Sequence, residues 1–287
     1  MRLLLLFSIF VAQIALATPK EIRLGFVPGE APEQLSKNAH ELARLLQSKI
    51  HIPVKVIIPK NYQNLIDQMK NKDVDFAFFT AMTFVLAEKE AQAKVLLKKV
   101  WKEPYYYSAI LTRQSSKIRS VSGLKGKTIA FVDEKSASGF LYPMVMFKKK
   151  KIDTDHFFAK KIFAGNHQAA VRAVVDGKAD AAAVFSDDPK AHDSAWTQYA
   201  PTALKKKARL LWISEPIPND PFCVRQDFYD ENPKLTHDIM FALIDLAGME
   251  GEPNYLKKLL DVKELKMATS RQYDPVREMI KELKIKL

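Results

Sequence analysis

The chain has 287 residues, with 45 Lys and Arg against 33 Asp and Glu, a formal net charge of +12 and a single cysteine. One cysteine, Cys223, excludes an internal disulfide framework and a cysteine-pair zinc site, so folding rests on packing. The basic balance favours anionic partners.

Residues 1–17 carry one charge, Arg2, followed by the apolar run Leu3 to Ala17, which ends in the A-x-A cleavage pattern Ala15-Leu16-Ala17. The run is shorter than the roughly 20 residues a membrane span needs. It passes at once into Thr18-Pro19-Lys20-Glu21. The pattern predicts a secretory signal peptide cleaved after Ala17 and a periplasmic destination, with no cysteine at the site for a lipid anchor. About 270 residues remain, a comfortable length for two lobes.

Strand and helix patterns then alternate, which predicts α/β construction. Ile22 to Val27 reads as a strand ending in the turn-rich Pro28-Gly29-Glu30-Ala31-Pro32. A helix follows, with Leu35, Ala39, Leu42, Leu45 and Leu46 at helical spacing. Val54 to Ile58 and Val74 to Phe79 are strands around a helix at Tyr62 to Lys70, and a helix from about Thr83 leads to a strand at Lys94 to Leu97. Tyr105 to Leu111 reads as an extended crossing to a second set. Its strands are Thr128 to Val132, Lys160 to Phe163 and Asp180 to Phe185, separated by helices near Gly139 to Lys150 and Gln168 to Asp176, the latter ended by Gly177. Arg209 to Ile213 and Phe222 to Arg225 read as the return crossing, and Pro233 to Leu287 as mostly helical. The expectation is a discontinuous first lobe of residues 18–108 and 210–287, a second lobe of residues 109–209, and a cleft between them that the strands' carboxyl ends face.

The lysine runs Lys148 to Lys151 and Lys205 to Lys207 lack interleaved aromatics for base stacking, so a small anion is expected rather than nucleic acid. The most informative segment is Asp133-Glu134-Lys135-Ser136-Ala137-Ser138-Gly139-Phe140-Leu141-Tyr142-Pro143, which follows a strand and opens a helix. Backbone N–H groups at such an end, the helix dipole and serine hydroxyls together make an anion cradle in outline. An ordinary serine cap fits the same local sequence. Gly165-Asn166-His167 also precedes a helix, where a neutral imidazole can donate one N–H to an oxyanion or serve only as a structural cap. Asp187 lies just past a strand and Asp220 in Pro216-Ile217-Pro218-Asn219-Asp220-Pro221; either is a cleft carboxylate or a turn aspartate. Gly126-Lys127-Thr128 is no P-loop, because Val121 stands where its first glycine belongs and the stretch precedes a strand. No His-Glu-x-x-His, Gly-x-Ser-x-Gly or cofactor motif occurs.

With Ser136 to Pro143, Ala164-Gly165-Asn166-His167 and Pro216 to Pro221 in this order, the chain resembles the phosphate, phosphite and phosphonate substrate-binding proteins of ABC importers, from Ile22 to beyond Phe222. The resemblance implies a type II periplasmic binding fold and a non-enzymatic receptor that delivers its anion to an inner-membrane permease. It implies ligand contacts from Ser136, Ala137 and Ser138, which match a Ser-Thr-Ser segment, and from His167, Tyr62, Tyr106 and Asp220. Asp187 falls where aminophosphonate binders carry an amine-recognising glutamate. A bare carboxylate repels a phosphorus dianion, so each aspartate meets either a protonated P–OH or a cationic group on the ligand. The same fold also serves sulfonates and other small anions or acts as a sensor module, and a secreted Ser/His hydrolase is the enzymatic alternative. Nothing in the sequence calls for an obligate oligomer, and a monomer is expected.

Overall fold

The computed structural model describes residues 19–28, 32–248, 253–260 and 262–285, so the expected signal peptide lies outside the described residues. The chain runs β1 Ile22–Phe26, α1 Pro32–Ile50, β2 Val54–Ile57, α2 Tyr62–Lys70, β3 Phe76–Phe78, α3 Ala81–Glu90 and β4 Ala93–Val100. It continues with β5 Tyr105–Arg113, β6 Thr128–Phe131, a π-helical turn Ala137–Leu141, α4 Tyr142–Lys149, α5 Thr154–Phe157, β7 Lys160–Phe163, α6 His167–Val175, β8 Ala181–Ser186, α7 Ala195–Tyr199, β9 Ala208–Ile213 and β10 Ile217–Pro218. The last part holds β11 Pro221–Arg225, α8 Gln226–Glu231, α9 Pro233–Asp245, α10 Tyr255–Leu260, β12 Glu264–Met267 and α11 Asp274–Glu282.

Two mixed sheets result. The first has the order β12-β4-β11-β3-β1-β2 and the second β10-β5-β8-β6-β7, with β9 also paired to β5. Strands β1, β2 and β3 are mutually parallel neighbours, as are β7, β6 and β8, while β11, β12 and β5 pair antiparallel. Parallel strands covered by helices on both faces read as near-continuous apolar runs. The Phe76-Ala77-Phe78 strand and the Ala181 to Val184 segment of β8 are buried throughout. One helix layer, α1, α9 and α10, closes over Phe26, Phe76 and Phe78; α2, α3 and α11 cover the other face through Leu65, Ile66, Phe84 and Val276. The four buried apolar residues of α1, Ala39, Leu42, Ala43 and Leu46, recur at helical spacing and form its inward stripe.

The sheets change over at residues 101–104 and 219–220, not at 109 and 210 as the sequence suggests. All of β5, β9 and β10 belong to the second sheet. Phe222 to Arg225, expected as a crossing, is β11, inserted between β3 and β4 in the first sheet. The mostly helical tail also returns one edge strand, β12, to β4. In each case the deciding contact is a partner strand far away in sequence. Gly177 ends α6 at φ +77°, in the left-handed region as expected.

Asp75, 1 % exposed, is clamped by Arg23 at 2.6 Å and Arg225 at 3.1 Å, which fastens β1 and β11 to the entrance of β3. The C-terminal helix α11 packs against both lobes: Val276 and Ile280 share one cluster with Met82 of α3 and with Leu141 and Tyr142 of the second lobe.

Candidate functional site

The strands' carboxyl ends meet at the cleft, and a cavity of about 430 Å³ opens there. All eight residues singled out in the sequence line it: Tyr62, Tyr106, Ser136, Ala137, Ser138, His167, Asp187 and Asp220.

On the second lobe, the strand β6 runs into the π-helical turn. Ser136 caps it, its Oγ accepting from the Gly139 N–H at 3.0 Å. The first N–H groups of the turn, those of Ala137 and Ser138, have no intrahelical acceptor and are donors for an anion. The turn lies tight on the sheet: a Cβ at Gly139 would stand 2.5 Å from Val132 Cβ, so only glycine allows this approach. Ser108 Oγ of β5 donates to the Ser138 carbonyl at 2.6 Å and fixes the turn from beneath. The serine cap and an anion cradle are compatible readings: Ser136 caps the turn, and Ser136, Ala137 and Ser138 all line the cavity.

Tyr106, on β5, lines the cavity beside Ser138. Burial, then the nearby Asp220, pushes its phenol well above the usual tyrosine range, so it stays protonated and able to donate. His167 is the first residue of α6, whose cap is Asn166. The Phe185 N–H donates to His167 Nδ1 at 3.3 Å, so the proton of the neutral ring sits on Nε2. Burial lowers its pKa to about 3, which keeps the ring neutral at physiological pH.

From the first lobe, Tyr62 opens α2 behind its cap Asn61, and is 4 % exposed. Asp220 lies between β10 and β11. Burial raises its pKa; Lys99, 3.7 Å away, and a hydrogen bond from the Ala81 N–H pull it back. That N–H belongs to the first turn of α3, so the carboxylate sits at a helix amino end, where negative charge is favoured. Asp187 follows β8, its own N–H donating to the Asp193 carbonyl at 2.8 Å.

Sequence reasoning missed Thr80, Lys99, Phe78 and Trp101, which also line the cavity. Thr80 caps α3 through a capping box with Thr83. Its strand-then-hydroxyl-then-helix pattern was the available signal, obscured by starting the helix at Thr83. Lys99 is the second of two adjacent lysines on β4, and only the pairing of β4 with β11 places its ammonium beside Asp220. Among the described residues, no helix is long and apolar enough to cross a membrane.

The donors on the second lobe converge on a volume suited to a small oxyanion. His167 Nδ1 accepts the Phe185 N–H, and burial holds the ring neutral, so it presents a donor to the cavity.

Comparison with known proteins agrees. Residues 24–273 match the family model for the periplasmic substrate-binding protein of phosphonate ABC transporters. The chain is 22 % identical to the probable ABC transporter phosphite binding protein PhnD1 of Prochlorococcus marinus, over 97 % of this chain and 95 % of that one. It is 23 % identical to the phosphonates-binding periplasmic protein of Escherichia coli, over 91 % of this chain and 76 % of the relative. The structure of Prochlorococcus marinus PhnD1 in complex with methylphosphonate superposes with a TM-score of 0.79 at 21 % identity, covering 93 % of this chain and 99 % of that one. That likeness establishes the two-lobed type II periplasmic binding fold. The match of the family model over most of the chain establishes the kinship: this protein belongs to the family of periplasmic substrate-binding proteins of phosphonate ABC transporters.

Proposed function

We propose that the protein captures a small phosphorus oxyanion in the interlobe cavity and hands it to an ABC importer permease. The observation that carries this reading is the convergence, in one cavity, of the Ser136 to Ser138 turn, the Tyr106 hydroxyl and a neutral His167 on one wall, with Asp220 on the other. The donors suit the ionised oxygens. Asp220, as an acceptor, suits a protonated P–OH, which selects a monoanion over sulfonate, a group with no such proton. Asp187 gives the site a second carboxylate for a cationic group on the ligand. Closure of the two lobes about the segments 101–104 and 219–220 would bury the anion and present a shape for the permease to read.

The reading makes the protein a monomeric receptor, exported by cleavage after Ala17, and no catalyst. Titration calorimetry of the ligand-free protein with phosphate, phosphite, methylphosphonate, 2-aminoethylphosphonate and methanesulfonate tests it. Binding of one or more phosphorus anions with methanesulfonate silent supports it. Binding of methanesulfonate alone would replace the proposed ligand class, and turnover of a phosphate ester that is lost in Ser138→Ala would replace the receptor role.

A further inference from the structure

The cavity extends beyond its anion end, and the extension has its own location and its own lining. Tyr106 and Ala137, at the anion end, belong to the core cluster on the α2, α3 and α11 face of the first sheet. Phe26, Phe78 and Leu259 line the same cavity but belong to the cluster on the opposite face, under α1 and α10, and Leu35, Trp101 and Leu260 pack against that cluster. The cavity therefore passes over the carboxyl edge of the first sheet from one core to the other. Lys99 stands at the crossing point, its ammonium 3.7 Å from Asp220, 5.5 Å from the Phe78 ring centre and 5.9 Å from the Trp101 ring centre.

An apolar recess continuous with an anion cradle has one economical occupant, the organic part of the same ligand. Ligand sites pair a few placed polar groups with a larger apolar lining; the arm is walled mainly by apolar side chains, with Gln34 and Asn38 of α1 and Lys258 of α10 beside them. We propose that the arm walled by Phe26, Phe78, Trp101, Leu35 and Leu259 receives an apolar substituent about the size of a phenyl ring. The preferred ligands are then substituted organophosphorus anions rather than phosphate, phosphite or methylphosphonate. The assignment rests on the phosphorus-anion reading of the cradle and adds to it the class of the substituent. Lys99, held by Asp220 at the junction, marks where the charged head ends and the apolar part begins.

Calorimetric titration of the whole protein with methylphosphonate and phenylphosphonate tests the arm. Each carbon transferred from water to an apolar wall is worth about fourfold in affinity. After ordering costs, phenylphosphonate is expected to bind at least ~10-fold more tightly. Leu35→Asp, which puts a charge into the arm from α1, should remove most of that advantage while changing methylphosphonate by less than about 2-fold, the scale of a remote substitution. Leu259→Ala, which removes part of the wall from α10, should do likewise and serves if Leu35→Asp does not fold. Phenylphosphonate binding no more tightly than methylphosphonate would overturn the arm while leaving the anion cradle intact, as would equal losses for both ligands in both variants. Binding of neither ligand would overturn the phosphorus-anion reading, and the arm with it.

Discussion

Asn219 Nδ2 donates to the Glu103 carbonyl at 2.8 Å, so a fully buried side chain on one interlobe segment holds the backbone of the other. The same residue's carbonyl accepts from the Tyr273 hydroxyl at 2.8 Å, which fastens the junction to the segment that leads into α11. One residue thus joins both segments and the C-terminal helix, immediately before the cavity carboxylate Asp220.

Asn219→Ala is expected to cost about 1–3 kcal/mol, the usual price of deleting one buried hydrogen bond with its packing. The Asn219 Oδ1 atom is buried with no partner among the described residues, so the amide contributes through its donor alone. In urea denaturation the midpoint should fall while the slope stays constant, because the surface exposed on unfolding is unchanged. An unaltered midpoint would show that the contact does not hold the junction.

His167 makes stability depend on pH. Its folded pKa of about 3 lies below the ordinary 6.5, so between these values the unfolded chain binds the extra proton. Stability should fall as pH drops below about 6.5, at up to ~1.4 kcal/mol per pH unit, and level off near the folded value. Asp220 acts with the opposite sign: its folded pKa is raised, so its contribution is fullest in acid and is lost as pH rises through the folded value. The difference between wild type and His167→Gln isolates the histidine. Unfolding free energies measured from pH 4 to 7 should show the wild type losing more stability toward acid than the variant. Parallel curves would mean that His167 titrates normally.

The two α/β sets, their parallel cores and the Ser136 to Gly139 turn were legible because each has a local signature, whereas Tyr62 and Tyr106 came only from the family resemblance. Strands β1, β3 and β6 are short apolar runs, and Ser136 and His167 sit at strand-to-helix junctions, where capping chemistry and cleft position coincide. The boundaries between the lobes were not legible. Extended segments such as Ala208–Ile213 and Pro221–Arg225 look alike in sequence, and only their partners, β5 for one and β3 with β4 for the other, assign them to different sheets. The same reason hides Lys99. Its strand β4 was found, but the antiparallel neighbour that brings it to Asp220 lies over a hundred residues away in the chain. Long-range pairing has no local signature, whereas a helix start does.

Asp187 offers the sharpest test of what the ligand carries besides its phosphorus. Its side chain lines the cavity opposite the first lobe, at the end of β8 and beyond the cradle residues Ser136 to Ser138. Asp187 lies within electrostatic reach of Lys102, and a cationic group on the ligand would add a second positive partner in a less exposed setting, where a charge pair is worth more. Asp187→Ala is therefore expected to weaken 2-aminoethylphosphonate by about 10-fold or more while leaving methylphosphonate unchanged or slightly tighter, since a repulsive charge has been removed. Asp187→Asn, which keeps the shape and removes the charge, should give the same split. Equal losses for the two phosphonates, measured by calorimetry at one pH, would assign Asp187 to the architecture of the loop after β8, whose N–H already bonds Asp193, and would leave Asp220 as the carboxylate that reads the anion.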